Sequence, residues 1–323
     1  MKQNTKKLLL SILTAFAVVF LAACGAHNKQ NTKTNTSSSA SEVSIKSAAG
    51  ETKVPINPKK IVTFDLGAAD TIRALGKESS LAGIPKKTLP AYLKNLSKNI
   101  KNVGTMKEPD MEAIAALKPD LIIASPRTAQ YVKKFKEIVP TVLFKADNKD
   151  YWGSTKQNIL SLASIFGEDG TKKAKSELAA LDKEIESVAS ANEKSTKKAL
   201  TLMLNEGAMS AFGAKSRFAF LYSTLKFKAT DAKIKDSRHG QEVSFESVKQ
   251  INPDIIFSLN RTLAIGGDNS VNKDLLNNSL IQETNAAKKK AIVNLTSDLW
   301  YLSGGGLEST KLMIKDVKNI AGK

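Results

Sequence analysis

Residues 111–128 read MEAIAALKPDLIIASPRT, and residues 245–262 read FESVKQINPDIIFSLNRT. Aligned without a gap at a constant offset of 134, they share Glu112/Glu246, Pro119/Pro253, Asp120/Asp254, Ile122/Ile256, Arg127/Arg261 and Thr128/Thr262. In each copy a helical pattern stops before a proline, an aspartate opens the turn, and a hydrophobic strand follows. An Arg-Thr pair then emerges at the strand's carboxyl end. The chain reads as an internal duplication. Open α/β sheets bind ligands beyond the carboxyl ends of their strands, so two related halves, each with an arginine at that edge, describe a cleft.

Between the copies lies a segment of a different kind. From Thr171 to Ala191 there is no Pro or Gly, and apolar residues fall at Ala174, Leu178, Leu181, Ile185 and Val188. Spacings of 4, 3, 4 and 3 predict an amphipathic helix of roughly 30 Å. We place an interdomain helix over 169–195, an N-terminal α/β lobe over 43–168 and a C-terminal α/β lobe over 196–323. The alternative is a long surface helix within one domain. A small hairpin is expected from Val43-Ser44-Ile45 and Thr52-Lys53-Val54-Pro55. Strands are expected near 61–64, 121–124, 141–144, 200–204, 255–259 and 292–295. Strands alternating with helical patterns give the α/β class with mostly parallel sheets.

The remaining N-terminus is of another character. Lys2, Lys6 and Lys7 precede the apolar run Leu8–Leu21, followed by Leu21-Ala22-Ala23-Cys24-Gly25. This reads as an export signal over 1–23; an uncleaved signal anchor with an incidental cysteine is the alternative. The tetrapeptide ending at Cys24 resembles a bacterial lipobox, which implies acylation of Cys24 and an anchor in the membrane. Residues 24–42, rich in Ser, Thr, Asn and Lys, are expected to be a flexible tether, and His27 falls within it. The folded part is then placed outside the cell, at the membrane surface.

Composition narrows the function classes. The 323 residues carry 49 Lys+Arg against 31 Asp+Glu, a formal charge of +18, with 41% hydrophobic residues, one Cys and two His. Disulfide frameworks, Cys-based zinc sites and multi-histidine metal sites are excluded. Loss of residues 1–23 removes three lysines and no acid, which leaves +15. Lysines spread along the whole chain describe a general surface bias more than a nucleic-acid patch. There is no G-x-S-x-G elbow and no HExxH, so an anchored hydrolase has no visible machinery.

Arginine is scarce among these cations: only Arg73, Arg127, Arg217, Arg238 and Arg261 are not lysine. A chain that writes nearly every cation as Lys keeps Arg where planar, multi-donor geometry is needed. Arg73 lies in the helical pattern DTIRAL and is expected on a solvated or salt-bridged face. Arg127 and Arg261 are strand-end residues, and Arg217 follows a loop, Phe212 to Ser216. Each has an alternative as an exposed or structural arginine.

Together the lipobox, VPINPKKIVTFDLGAADTI, EPDMEAIAALKPDLII, AFGAKSRF, HGQEVSFE, NRTLAIG and WYLSGGGLES resemble the iron-siderophore-binding lipoproteins of Gram-positive ABC importers, in their catecholate, petrobactin-type branch. The resemblance covers Val43 to Lys318. It implies two Rossmann-like lobes on one rigid helix, the class III substrate-binding fold, with little closure on binding. It implies that Arg127, Arg217 and Arg261 contact a ferric catecholate, whose net charge of about −3 three guanidinium groups offset while stacking on the rings. It also implies that His239 and Tyr301 complete the iron's coordination when the siderophore is tetradentate, and that Glu112 and Glu246 dock onto the two permease subunits. The bland readings are a loop hydrogen-bonding role for His239, an amphipathic wall for Tyr301 and helix-dipole acids for Glu112 and Glu246. Trp300 lines the pocket or belongs to the core. Ser303-Gly304-Gly305-Gly306 offers bare backbone to a ligand. The expected protein is a monomeric binding module, not an enzyme, with a ferric siderophore as cargo and no intrinsic cofactor. A carrier of haem or a corrinoid is the runner-up.

Overall fold

The computed structural model describes residues 42–323 apart from Ser97, Asp236 and Arg238. The export signal, Cys24 and the tether up to residue 41 lie outside the described residues. Glu42, assigned above to the tether's end, instead opens β1 (Glu42–Ser47), where it pairs with Pro55. β2 (Gly50–Pro55) completes the hairpin.

The first half is built on a five-stranded sheet in the order β5-β4-β3-β6-β7. Its strands are β3 (Ile61–Thr63), β4 (Leu81–Ile84), β5 (Lys101–Asn102), β6 (Leu121–Ala124) and β7 (Thr141–Leu143). Every pairing is parallel. The chain runs outward from β3 through β4 to β5, then returns to lay β6 on β3's other side. The sheet's topological switch point is therefore between β3 and β6.

The second half has β8 (Lys198–Asn205), β9 (Ala208–Phe212), β10 (Lys228–Ala229), β11 (Gln241–Glu242), β12 (Ile255–Asn260) and β13 (Ile292–Asn294). They run β11-β9-β8-β12-β13, with β10 also on β8. Here β9 is antiparallel to both β8 and β11, while the pairings of β8 with β10 and β12 and of β12 with β13 are parallel, so this sheet is mixed but mostly parallel, as expected. Its switch point is between β8 and β12. The central strands β3, β6, β8 and β12 are buried on two faces, which is why they read as continuous hydrophobic runs. Val62, Ile122 and Ala124 face one core cluster, while Ile61, Leu121 and Ile123 face another.

The duplicated segment repeats in structure down to its turn. Helices Met111–Leu117 and Phe245–Ile251 are capped by Asp110 and Ser244, whose side chains accept from the Ala113 and Ser247 amides. Both end in a left-handed residue, Lys118 at φ 47° and Asn252 at φ 46°, which reverses the chain into the proline. Next, Asp120 Oδ2 accepts from the Lys59 and Lys60 amides, and Asp254 Oδ2 accepts from the Lys198 amide. Each aspartate thus ties its strand to the start of the adjacent central strand.

The helix Gly167–Lys194 spans 28 residues, against an expected 169–195. Its stripe of Ala174, Leu178, Leu181, Ile185 and Val188 is buried and shares one core cluster with Ile159 and Leu162 from the first half and Phe220 and Met313 from the second. The last helix, Leu307–Val317, also meets the first half. Buried Asp70, in helix Leu66–Ala74, accepts from the Glu308 and Ser309 amides at 2.9 and 2.7 Å, the donors left unpaired at that helix's start. Arg73 bonds Glu308 and donates to Tyr92 O, as a salt-bridged face predicts. A methyl added at Gly306 would collide with Asp70 Oδ2 and stand 2.5 Å from Gly67 O. Gly306 thus serves close helix approach, while Gly304 and Gly305 line a cavity.

Candidate functional site

Each switch point carries one arginine. Arg127 lies in the turn after β6, where Thr128 Oγ1 accepts from the Ser125 amide and donates to its carbonyl, fixing the turn. Arg261 opens a short helix, Arg261–Ala264, directly after β12. Its Nη1 donates to Asn205 Oδ1, at the end of neighbouring β8, at 2.6 Å. Arg217 follows β9 in a loop. The sequence places these three residues more than forty positions apart, and the fold brings them to one side chain.

That side chain is Tyr301, in the helix Ser297–Leu302. The main-chain carbonyl oxygen of Tyr301 accepts from Arg127 Nη2 at 2.8 Å and Arg217 Nη2 at 3.1 Å, and its side-chain hydroxyl accepts from Arg261 Nε at 3.0 Å. The guanidinium carbons of Arg217, Arg127 and Arg261 stand 4.2, 4.9 and 5.8 Å from the ring centroid, within cation–π range. Burial pushes the Tyr301 hydroxyl up, but the Arg261 hydrogen bond and the charges of Arg127, Arg217 and Arg261 outweigh it. They hold the group at about 8, below the ordinary 10. The Glu206 carboxylate stands 3.9 Å from Arg261 Nη1, but that side chain is largely exposed, so it screens weakly.

A cavity of about 600 Å³ opens at this cluster. Arg127, Arg217, Trp300 and Tyr301 line it, while Arg261 reaches it through Tyr301. Trp300 is buried, and its indole N–H donates to Asp316 at 2.8 Å, so it is a core residue with one face on the cavity. His239 is exposed and is not among the lining residues; its neighbour Ser237 is. The structure thus brings five of the six expected ligand residues to one place and leaves His239 at the periphery. Glu112 and Glu246 are both exposed in the first turns of their helices, and no described cluster of three or more His, Cys, Asp or Glu is arranged to hold a metal.

Other lining residues were not singled out in the sequence. Asp65 lies one residue beyond the end of β3, caps the helix Leu66–Ala74 and lines the cavity. Its position at a strand's carboxyl end is the signal that identified Arg127, and it was available in IVTFDLG. Tyr151 and Thr155 come from the helix Tyr151–Ser164; nothing in their local sequence separates them from core residues.

A family model described as periplasmic binding protein matches residues 61–299. The petrobactin-binding protein YclQ of Bacillus subtilis is 39% identical over 317 residues, covering 97% of this chain and 98% of the relative. The crystal structure of the iron uptake ABC transporter substrate-binding protein PiuA from Streptococcus pneumoniae superposes with a TM-score of 0.84 at 69% identity. It covers 85% of this chain and 97% of that one. The periplasmic catecholate-siderophore binding protein VctP from Vibrio cholerae gives 0.80 at 29% identity, covering 86% and 100%.

Proposed function

The chain belongs to the periplasmic binding protein family, and we propose that it is the lipid-anchored, extracellular receptor of an ABC importer that captures a ferric catecholate siderophore for iron uptake. The observation that carries this reading is the convergence of Arg127, Arg217 and Arg261 on Tyr301 at a cavity mouth. Holding three guanidinium groups around one ring opposes their mutual repulsion, and a compact anion of high charge removes that opposition. Flat catecholate rings add stacking partners for the guanidinium planes. The iron-chelate cargoes in the relatives' names support this over haem or a corrinoid, and support binding over catalysis.

In this reading the two sheet-based halves, 43–168 and 196–323, are the lobes, and the long helix is their spine. Trp300 is a wall of the pocket. Cys24 carries the lipid, and Glu112 and Glu246 meet the two permease subunits. Tyr301 and His239 bind iron only where a tetradentate siderophore leaves two positions open, phenolate and imidazole being suitable ferric ligands.

Fluorescence titration with a panel of ferric catecholates and hydroxamates tests the cargo class. Catecholates are expected to quench tightly. Arg127→Ala, Arg217→Ala and Arg261→Ala are each expected to cost about 1.5–3 kcal/mol of affinity without loss of fold. Tight binding only to hydroxamates, or a triple variant that binds like the wild type, would overturn the reading.

A further inference from the structure

The cavity has an inner end that its arginines do not account for. Its lining passes from partly exposed Arg127, Arg217 and Tyr301 to buried Phe64, Ile159 and Leu162. Much of that inner wall is one face of the helix Tyr151–Ser164, with Tyr151, Thr155, Asn158, Ile159 and Leu162 at helical spacing. Thr155 is 1% exposed, and its Oγ1 has no hydrogen-bond partner among the described residues. Such orphaned hydroxyls are rare and costly.

Asp65 is the second unexplained group. Its Oδ1 accepts from the Gly67 and Ala68 amides at 2.9 and 3.1 Å. No Lys, Arg or His among the described residues forms an ion pair with it. Burial pushes the carboxyl up to about 6, with the two amides acting the other way. Tyr151 connects the two groups. Burial and then the Asp65 charge push its hydroxyl up to about 12, while the Arg217 charge and the approach of the Thr155 hydroxyl, which falls short of hydrogen-bond geometry, act in the opposite direction.

Among the described residues, a buried carboxylate without a cation and a hydroxyl without a partner line one cavity, and together they define what is missing. Water would satisfy the hydroxyl but not the charge. An ammonium group supplies both, with three N–H donors and one positive charge, and its alkyl stem suits the apolar wall of Phe64, Ile159 and Leu162. We propose that the inner end is a subsite for an alkylammonium arm of the cargo, with the Asp65 carboxylate pairing with the ammonium and the Thr155 and Tyr151 hydroxyls accepting its remaining hydrogens. This rests on the cleft binding a ferric catecholate. The anionic iron centre sits at the arginines, and the cationic arm points inward.

The test uses the full mature chain and a matched pair of ferric bis-catecholates, one with aminopropyl side arms and one with propyl arms. The amine-bearing chelate is expected to bind at least tenfold more tightly to the wild type. Asp65→Asn keeps a good helix cap and is expected to bring the ratio of the two affinities to about one. Thr155→Val is expected to lower the ratio in part. Equal wild-type affinities, or a preference that survives Asp65→Asn, would overturn the subsite. Binding of neither chelate to the wild type would overturn the cleft reading itself and the subsite with it.

Discussion

Tyr301 is set apart from Tyr92, Tyr151 and Tyr222 by its acidity, and this can be measured in the empty protein. Its hydroxyl is held at about 8, whereas burial pushes Tyr151 and Tyr222 up to about 12 and Tyr92 higher still. At pH 7 a group of pKa 8 is about one-tenth phenolate, against about one-thousandth for an ordinary tyrosine, a hundredfold enrichment of the metal-ligating form. The perturbation is Arg261→Gln, which removes both the 3.0 Å hydrogen bond to the hydroxyl and one of three charges. Phenolate absorbance in the near ultraviolet, followed against pH, is expected to show one tyrosine titrating near pH 8 in the wild type. That step should vanish in Tyr301→Phe and move toward 10 in Arg261→Gln. The depressed pKa also fixes a sign. The folded state favours the anion, so Tyr301 stabilises the fold only as pH rises through 8 toward 10, and contributes nothing below 8. No titration below pH 9, or a step that survives in Tyr301→Phe, would refute the argument that the arginines set this acidity.

Further outcomes separate the roles of individual residues. Glu112→Ala with Glu246→Ala is expected to abolish uptake while ligand affinity stays intact; normal uptake would leave only the helix-dipole role. His239→Ala and Tyr301→Phe are expected to weaken a tetradentate ferric chelate and shift its charge-transfer absorption, with little effect on a hexadentate one. Unaltered spectra and affinities for both would confine these residues to the cleft wall. Gly306→Ala forces a methyl onto Asp70 and the Gly67 carbonyl and is expected to cost about 1–3 kcal/mol of stability, seen as a lowered Tm. An unchanged Tm would show that the two helices separate easily.

The duplication was legible because it is written without a gap. Proline, aspartate and arginine recur at one offset; the aspartates do the same local task in both halves, and the arginines stand at the same strand end. Other elements were invisible for physical reasons. β4 is four residues, Leu81–Ile84, with a glycine at its third position, and β5 is two; neither is long enough to show a period. The antiparallel β9 follows a two-residue turn whose Glu206 and Gly207 both have positive φ, 52° and 84°. Such hairpin turns usually announce themselves with Asn-Gly or Asp-Gly, and a glutamate there carries no such signal. Arg127 and Arg261 could be placed at a strand's end from the repeat alone. Their meeting at Tyr301 is a long-range event that no local pattern carries, since the family resemblance implied only a shared ligand, and Trp300 divides between core and pocket only through the Asp316 side chain that holds its indole.

The clasp at Asp70 and Gly306 bears on how an importer would know that its receptor is loaded. The last helix leaves the six-stranded half and ends its orphan amides on a carboxylate of the other half, backbone against backbone, beside the long helix that already spans both. Two such attachments leave no single hinge about which the halves could swing. Empty and loaded receptors would then present nearly the same outline to the membrane. Recognition of the loaded one would have to read the cargo itself: a lysine-rich surface with an unfilled positive mouth in one case, and a mouth neutralised by its anion in the other. A transporter facing this protein would sense charge where others sense shape.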